Sequence, residues 1–71
     1  MQIFTLRPDD EFIELNKLLK LEQLVQSGGH AKIVIGEGQV MVNGEIELRK
    51  RKKLRPGDVV SFDGHEIKIS S

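Results

Sequence analysis

The spacing of apolar residues along this chain changes from two, to about three and a half, and back to two. From Gln2 to Leu6 it alternates, with Phe4 and Leu6 on one side and Ile3 on the other, which predicts a short strand. Pro8-Asp9-Asp10-Glu11 then reads as a helix start. Asp9 or Asp10 caps it, and an acidic first turn suits the positive end of the helix dipole. Phe12, Leu15, Leu18 and Leu19 follow at helical spacing as the buried stripe. The pattern breaks near Gln23, where Leu24 and Val25 pack as the chain turns. Ser27 caps a second helix that runs to about Ile35, with Ala31, Val34 and Ile35 on its apolar side. Gly36 and Gly38 end it.

The remainder alternates again. Val40 and Val42 lead into Asn43-Gly44, a turn pair. A two-residue turn sets Val42 opposite Glu45 and Val40 opposite Glu47. A three-residue loop pairs Val42 with Ile46 and Val40 with Leu48, so all four apolar residues share a face, and this register is the expected one. Pro56-Gly57 makes the next turn. Val59 to Phe62 and Glu66 to Ile69 form a hairpin about Asp63-Gly64, whose tight turn sets Val60 opposite Ile67 and Phe62 opposite His65. The expected order is β-α-α-β-β-β-β. It is an α+β fold, two helices packed on a small, mostly antiparallel sheet.

A chain of 71 residues has room for one domain, residues 1–71, with a small core. It contains no cysteine, so neither a disulfide nor a thiolate metal site is available. No apolar run reaches the 18 residues of a membrane span, and Met1-Gln2-Ile3-Phe4 lacks the features of a signal peptide. The expectation is a soluble cytoplasmic protein. An initial Met and no evident linker or tag suggest a complete one.

Charge changes the picture most. In Arg49-Lys50-Arg51-Lys52-Lys53-Leu54-Arg55, six of seven residues are cationic, yet the formal net charge of the chain is zero. The other 64 residues hold five basic and eleven acidic side chains, a net −6. A solvated loop explains scattered charges. Six together, with no neutralising residue among them, point to a polyanion, above all a phosphate backbone. Ser27-Gly28-Gly29 is the second candidate. Glycine costs about 1 kcal/mol relative to alanine in a helix, so two in a first turn need a reason. Either their bare N–H groups face a phosphate, or the two helices pack closely there. The residues leave both open. Lys32 on the same helix, and Lys17 with Lys20 on the first, are further basic neighbours.

Other chemistry is thin. His30 and His65 have no companions at metal-ligand spacing. His30 lies three residues after Ser27, without an orienting carboxylate for nucleophilic catalysis. With three Phe and neither Tyr nor Trp there is no platform for stacking unpaired bases. Shape and backbone recognition of folded RNA fits better.

Leu15-Asn16-Lys17-Leu18-Leu19-Lys20, then Leu24, Ser27, Ala31, Ile35, Gly38 and Val40-Met41-Val42-Asn43-Gly44 resemble, in order and spacing, the S-four RNA-binding domain. That family is named after the fourth protein of the small ribosomal subunit. Pro56-Gly57-Asp58-Val59-Val60 resembles its later turn and strand. Together the matches cover about two thirds of the chain, and Gln26 to Lys32 has the form of a small standalone subfamily. The resemblance implies an alpha-L motif whose two helices and following loop grip structured RNA such as rRNA or tRNA. Glu14, Asn16 and Gly28 depart from the family's usual arginine, aspartate and arginine. The RNA contacts of those arginines therefore do not carry over. Ser27 carries over as the helix cap and Lys32 as a neighbour of the RNA. The run Arg49 to Arg55 is no family invariant and stands on charge alone.

The expectation is a non-catalytic, monomeric RNA-binding protein, associated with ribosomes or tRNA. It would have no cofactor, metal, small-molecule substrate or membrane partner. Its RNA-binding residues would be Lys17, Lys20, Ser27, Gly28, Gly29, Lys32, Arg49, Lys50, Arg51, Lys52, Lys53 and Arg55. Two alternatives stand beside it. One is a protein–protein adaptor using the acidic first helix. The other is a β-grasp sulfur carrier, which the terminal Ile69-Ser70-Ser71 opposes, because such carriers end in Gly-Gly.

Overall fold

The computed structural model describes residues 1–71. Seven strands and two helices follow in the order β1 (Gln2–Thr5), β2 (Ile13–Glu14), α1 (Leu15–Leu21), α2 (Gly28–Gly36), β3 (Val40–Val42), β4 (Glu45–Ile46), β5 (Lys53–Leu54), β6 (Val59–Phe62) and β7 (His65–Ser70). This is the expected order with two short strands added, β2 and β5, which pair with each other. The main sheet runs β1-β7-β6-β3-β4, antiparallel except for β1 beside β7. The helices bury Leu15, Leu18, Leu19, Ala31, Val34 and Ile35. The sheet meets them with Val40, Val42, Val60, Phe62, Ile67 and Ile69, and all belong to one core of 15 residues.

Two local expectations are overturned. Helix α1 starts at Leu15, not near Pro8, and neither Asp9 nor Asp10 caps it. Its first turn holds no acidic residue. Asp10 instead donates its N–H to the Arg7 carbonyl in a turn (3.0 Å). Phe12 is not on the helix stripe, because the chain is extended through Ile13 and Glu14 to pair with Leu54 and Lys53. The N-terminal position Glu14 makes no side-chain cap.

The first hairpin takes the register that apolar pairing disfavours. Met41 lies opposite Ile46 and Val42 opposite Glu45, across a two-residue turn. Asn43 (φ 53°) and Gly44 (φ 83°) both adopt the left-handed conformation that such turns require and that asparagine and glycine tolerate best. Ile46 and Leu48 are each 62% exposed. Val40 and Val42 do not need them, since they pair with Phe62 and Val60 of β6. The Asp63-Gly64 hairpin forms as expected, with Val60 opposite Ile67 and Phe62 opposite His65.

The Asn43-Gly44 turn is tied to Pro56-Gly57-Asp58 across the fold. Asp58 accepts from Asn43 Nδ2 (3.0 Å) and from the Arg55 N–H (2.8 Å). Asn43 Oδ1 accepts from the Val59 N–H (2.9 Å). Two loops distant in sequence thus share one polar network. Asp58→Ala removes both of its side-chain bonds and is expected to lower stability by about 1.5–3 kcal/mol in denaturant titration. Adding Asn43→Ala should cost less than the sum of the single changes, because both act on the same network.

Candidate nucleic-acid interface

After β4, Glu47 donates its N–H to the Val40 carbonyl (3.0 Å), so the strand edge fixes where the basic loop begins. The Lys52 N–H closes a turn on the Arg49 carbonyl (3.1 Å). The loop then docks on the start of α1. Leu15 N–H donates to the Lys52 carbonyl (2.9 Å) and Asn16 N–H to the Lys50 carbonyl (2.9 Å). These are first-turn amides that a helix leaves without partners, and no side chain caps them here. Leu54, the one apolar residue of the run, is fully buried. Asp58 holds the Arg55 N–H at the far end.

The backbone fixed in this way brings the cationic side chains together. Arg49, Lys50, Arg51, Lys52, Lys53 and Arg55 line a single open depression of about 660 Å³ that has no hydrophobic residue in its wall. Lys53 Nζ lies 5.0 Å and the Arg55 guanidinium carbon 5.6 Å from the centroid of the half-buried Phe12 ring. Cation–π attraction supports both side chains there.

One of the six cations is neutralised, contrary to the expectation of an unpaired run. Arg49 Nε meets Glu47 Oε2 at 3.0 Å and its Nη2 meets Oε1 at 3.2 Å. The Arg49 hydrogen bond holds the Glu47 carboxyl below the usual carboxylate range, partial burial opposes this, and Lys52 adds a smaller attraction. The other five have no carboxylate within 4.0 Å. Positive charge gathered in a depression concentrates the field toward solvent.

The remaining candidate residues stand apart from that depression. Lys17 pairs with Glu14 (3.8 Å), and Lys20 lies in the last turn of α1. Ser27, Gly28, Gly29 and Lys32 lie on or beside the start of α2. Ser27 Oγ accepts from the His30 N–H (3.1 Å), and His30 Nδ1 accepts from the Gln26 N–H (3.2 Å). This is a variant of the capping box in which an imidazole replaces the usual carboxylate and takes the N–H of Gln26, one residue before the cap, rather than that of Ser27. A Cβ at Gly28 would meet nothing within 4 Å, and one at Gly29 only Ser27 Oγ at 3.8 Å. Close helix–helix packing therefore does not account for these glycines.

Sequence reasoning missed Glu47, Phe12 and the two amides of α1. A lone leucine within six cations was the readable sign that the loop is anchored. Phe12 was masked by its helical spacing to Leu15.

Residues 6–70 match the family model described as the S4 domain. YbcJ of Escherichia coli (strain K12), which carries the name of an RNA-binding protein, is 53% identical over 57 residues, 80% of this chain and 81% of YbcJ. RlbA of Bacillus subtilis (strain 168), which carries the name of a ribosome maturation protein, is 46% identical over 56 residues, 79% of each chain. The solution structure of YbcJ from E. coli covers 100% of this chain and 89% of its own, with a TM-score of 0.72 and 46% identity. It is described as revealing an αL motif involved in RNA binding.

Gly28→Ala and Gly29→Ala should each hold or raise the melting temperature, by up to about 1 kcal/mol of stability, since the space is open and alanine favours helix. A fall in melting temperature would restore the packing explanation. Acid titration checks the Arg49–Glu47 pair. Because the folded-state value of Glu47 is depressed, the stability it contributes is fully present above its ordinary value of 4.5. It is lost as pH falls through the lowered value. The stability difference between the parent and Glu47→Gln should therefore be constant above pH 4.5 and shrink below it.

Proposed function

We propose a binding mode from one premise: the chain belongs to the S4 domain family, and it acts by binding RNA rather than by catalysis. The RNA is structured, ribosomal RNA or tRNA, and the basic loop is its principal anchor. The observation that carries this reading is the convergence of six cationic side chains on one depression whose backbone is bonded to α1 and to the core. Cations held at fixed spacing suit a helical polyanion, whose phosphates are also fixed. The absence of tyrosine and tryptophan turns recognition away from stacked single bases and toward shape. The ribosome maturation name of RlbA supports ribosomal RNA as the target.

The start of α2 serves as a second contact. Gly28 and Gly29 carry no side chain of their own and have open space where a Cβ would stand, which leaves room for a phosphate near their N–H groups, with Lys32 on the same helix. Lys17 and Lys20 add weaker long-range attraction. The protein acts as a monomer in the cytoplasm, where such RNA is found. No helix is long and apolar enough to cross a membrane. The adaptor alternative loses its premise, because Asp9, Asp10 and Glu11 precede β2 and do not form an acidic helix face.

Changing Lys50, Arg51 and Lys52 together to glutamine should weaken binding to ribosomal RNA or tRNA at least tenfold, with the melting temperature near that of the parent. The slope of log affinity against log salt should become shallower by roughly 0.7–0.9 for each phosphate no longer neutralised. Parent-like affinity and slope in the triple variant would remove the loop from the interface. Gly28→Ala should reduce affinity without loss of stability if the α2 amides receive a phosphate.

A further inference from the structure

We propose that Glu47 is a positioning residue for RNA recognition: it sets the rim of the basic loop through Arg49, and so raises affinity for structured RNA although it is an anion beside six cations. The inference rests on the loop being the RNA surface. It concerns a residue that charge alone would class as unfavourable, since a carboxylate beside a phosphate site repels the ligand and cancels one cation.

The geometry points the other way. Glu47 Oε2 accepts from both the Arg49 backbone N–H (3.0 Å) and Arg49 Nε (3.0 Å), while Oε1 accepts from Nη2 (3.2 Å). One side chain thus fixes both the main chain and the guanidinium of the same neighbour, and charge-assisted bonds of this kind are the strong ones. Glu47 is itself held, through its N–H on Val40, and its side chain is only 13% exposed against 72% for Arg49. Arg49 is therefore laid over a fixed support.

The turn beyond Arg49 depends on that support. The Arg49 carbonyl accepts the Lys52 N–H, so the turn presenting Lys50 and Arg51 starts at the residue Glu47 fixes. The other tethers lie further along, at the Lys50 and Lys52 carbonyls, at Leu54 and at the Arg55 N–H. Without Glu47 the leading side of the loop has no side-chain tether, and repulsion among Arg49, Lys50, Arg51 and Lys52 drives it apart. The cost of ordering it then falls on the binding step. A stiff ligand with fixed phosphate spacing loses most from this. A flexible polyanion adapts to a splayed loop and loses little, or gains from the lost carboxylate. Glu47 therefore also sets the preference for folded over flexible RNA.

Binding of a short RNA stem-loop and of poly(U) of equal length to the parent, Glu47→Ala, Glu47→Gln, Arg49→Gln and Glu47→Ala/Arg49→Gln tests this. Amide hydrogen exchange from Arg49 to Lys52, measured without RNA, accompanies it. Glu47→Ala should weaken stem-loop binding about three- to tenfold while poly(U) binding is unchanged or tighter. Glu47→Gln, which keeps an acceptor oxygen, should fall between Ala and parent, and serves alone if the alanine variant fails to fold. The double variant should be no weaker than Glu47→Ala by more than about twofold, since both changes break one unit. Exchange at Arg49 to Lys52 should quicken by more than the accompanying fall in global stability accounts for. Tighter stem-loop binding by Glu47→Ala, or unchanged exchange in the loop, overturns the proposal. A Lys50→Gln/Arg51→Gln control tells this failure from that of the underlying reading. If that control keeps full stem-loop affinity, the loop is not the RNA surface and the proposal goes with it, whatever the exchange data show.

Discussion

The carbonyls of Lys50 and Lys52 accept the first amides of α1, and Leu54 enters the core two residues later. Each side of this junction supplies what the other lacks. Helix α1 begins without a side-chain cap and needs acceptors. The basic run needs something to hold its backbone while its side chains repel. Neighbouring like charges in water repel by about 0.5 kcal/mol per pair, whereas full burial of a leucine contributes about 1.5–3 kcal/mol, and each added hydrogen bond about 1. Five neighbouring pairs repel by about 2.5 kcal/mol in all, which one buried leucine and two hydrogen bonds offset. The short β2–β5 pairing and the support of Lys53 and Arg55 by Phe12 result from the same docking.

The rest of the fold keeps the two ends of that loop in place. Glu47 is fixed at the leading end by the edge of the sheet, and Arg55 at the trailing end by Asp58. Asp58 in turn holds Asn43, which belongs to the turn between β3 and β4. The trailing end is therefore braced by the network of Asn43 and Asp58, and the leading end by the backbone bond of Glu47 to β3. This gives a physical role to two short motifs that otherwise look like ordinary turns. It also couples stability to function, since a loosened turn alters the frame on which the cations stand.

Charge separation acts at longer range. The loop carries +6 and the remaining residues −6, so a polyanion is attracted to one region and repelled by the rest. Such a field orients the approach before contact is made, and salt weakens it. The start of α2 does not line the basic depression, so an RNA touching both must span the surface between them. A folded RNA can do so, which agrees with recognition by shape.

Local pattern in the sequence determined a good deal. The stripes Leu15-Leu18-Leu19 and Ala31-Val34-Ile35, the Ser27 cap and the Asp63-Gly64 hairpin all form as their spacing implies, because each depends on residues a few positions apart. The basic run was equally visible. Tertiary structure decided the rest. Phe12 has helical spacing to Leu15, yet the chain that follows it is extended because Leu54, 41 positions after Ile13, offers that residue a strand partner. The parallel placement of β1 beside β7 joins the two ends of the chain, which no local pattern reports. The first hairpin was misjudged for a related reason. Pairing apolar with apolar presumes that β4 covers the core, but β4 is an edge strand, and β6 supplies the partners of Val40 and Val42. The register that results places Glu47 beside Val40 and within reach of Arg49. A spacing rule can say which residues want burial, but only the assembled sheet determines which strand provides it.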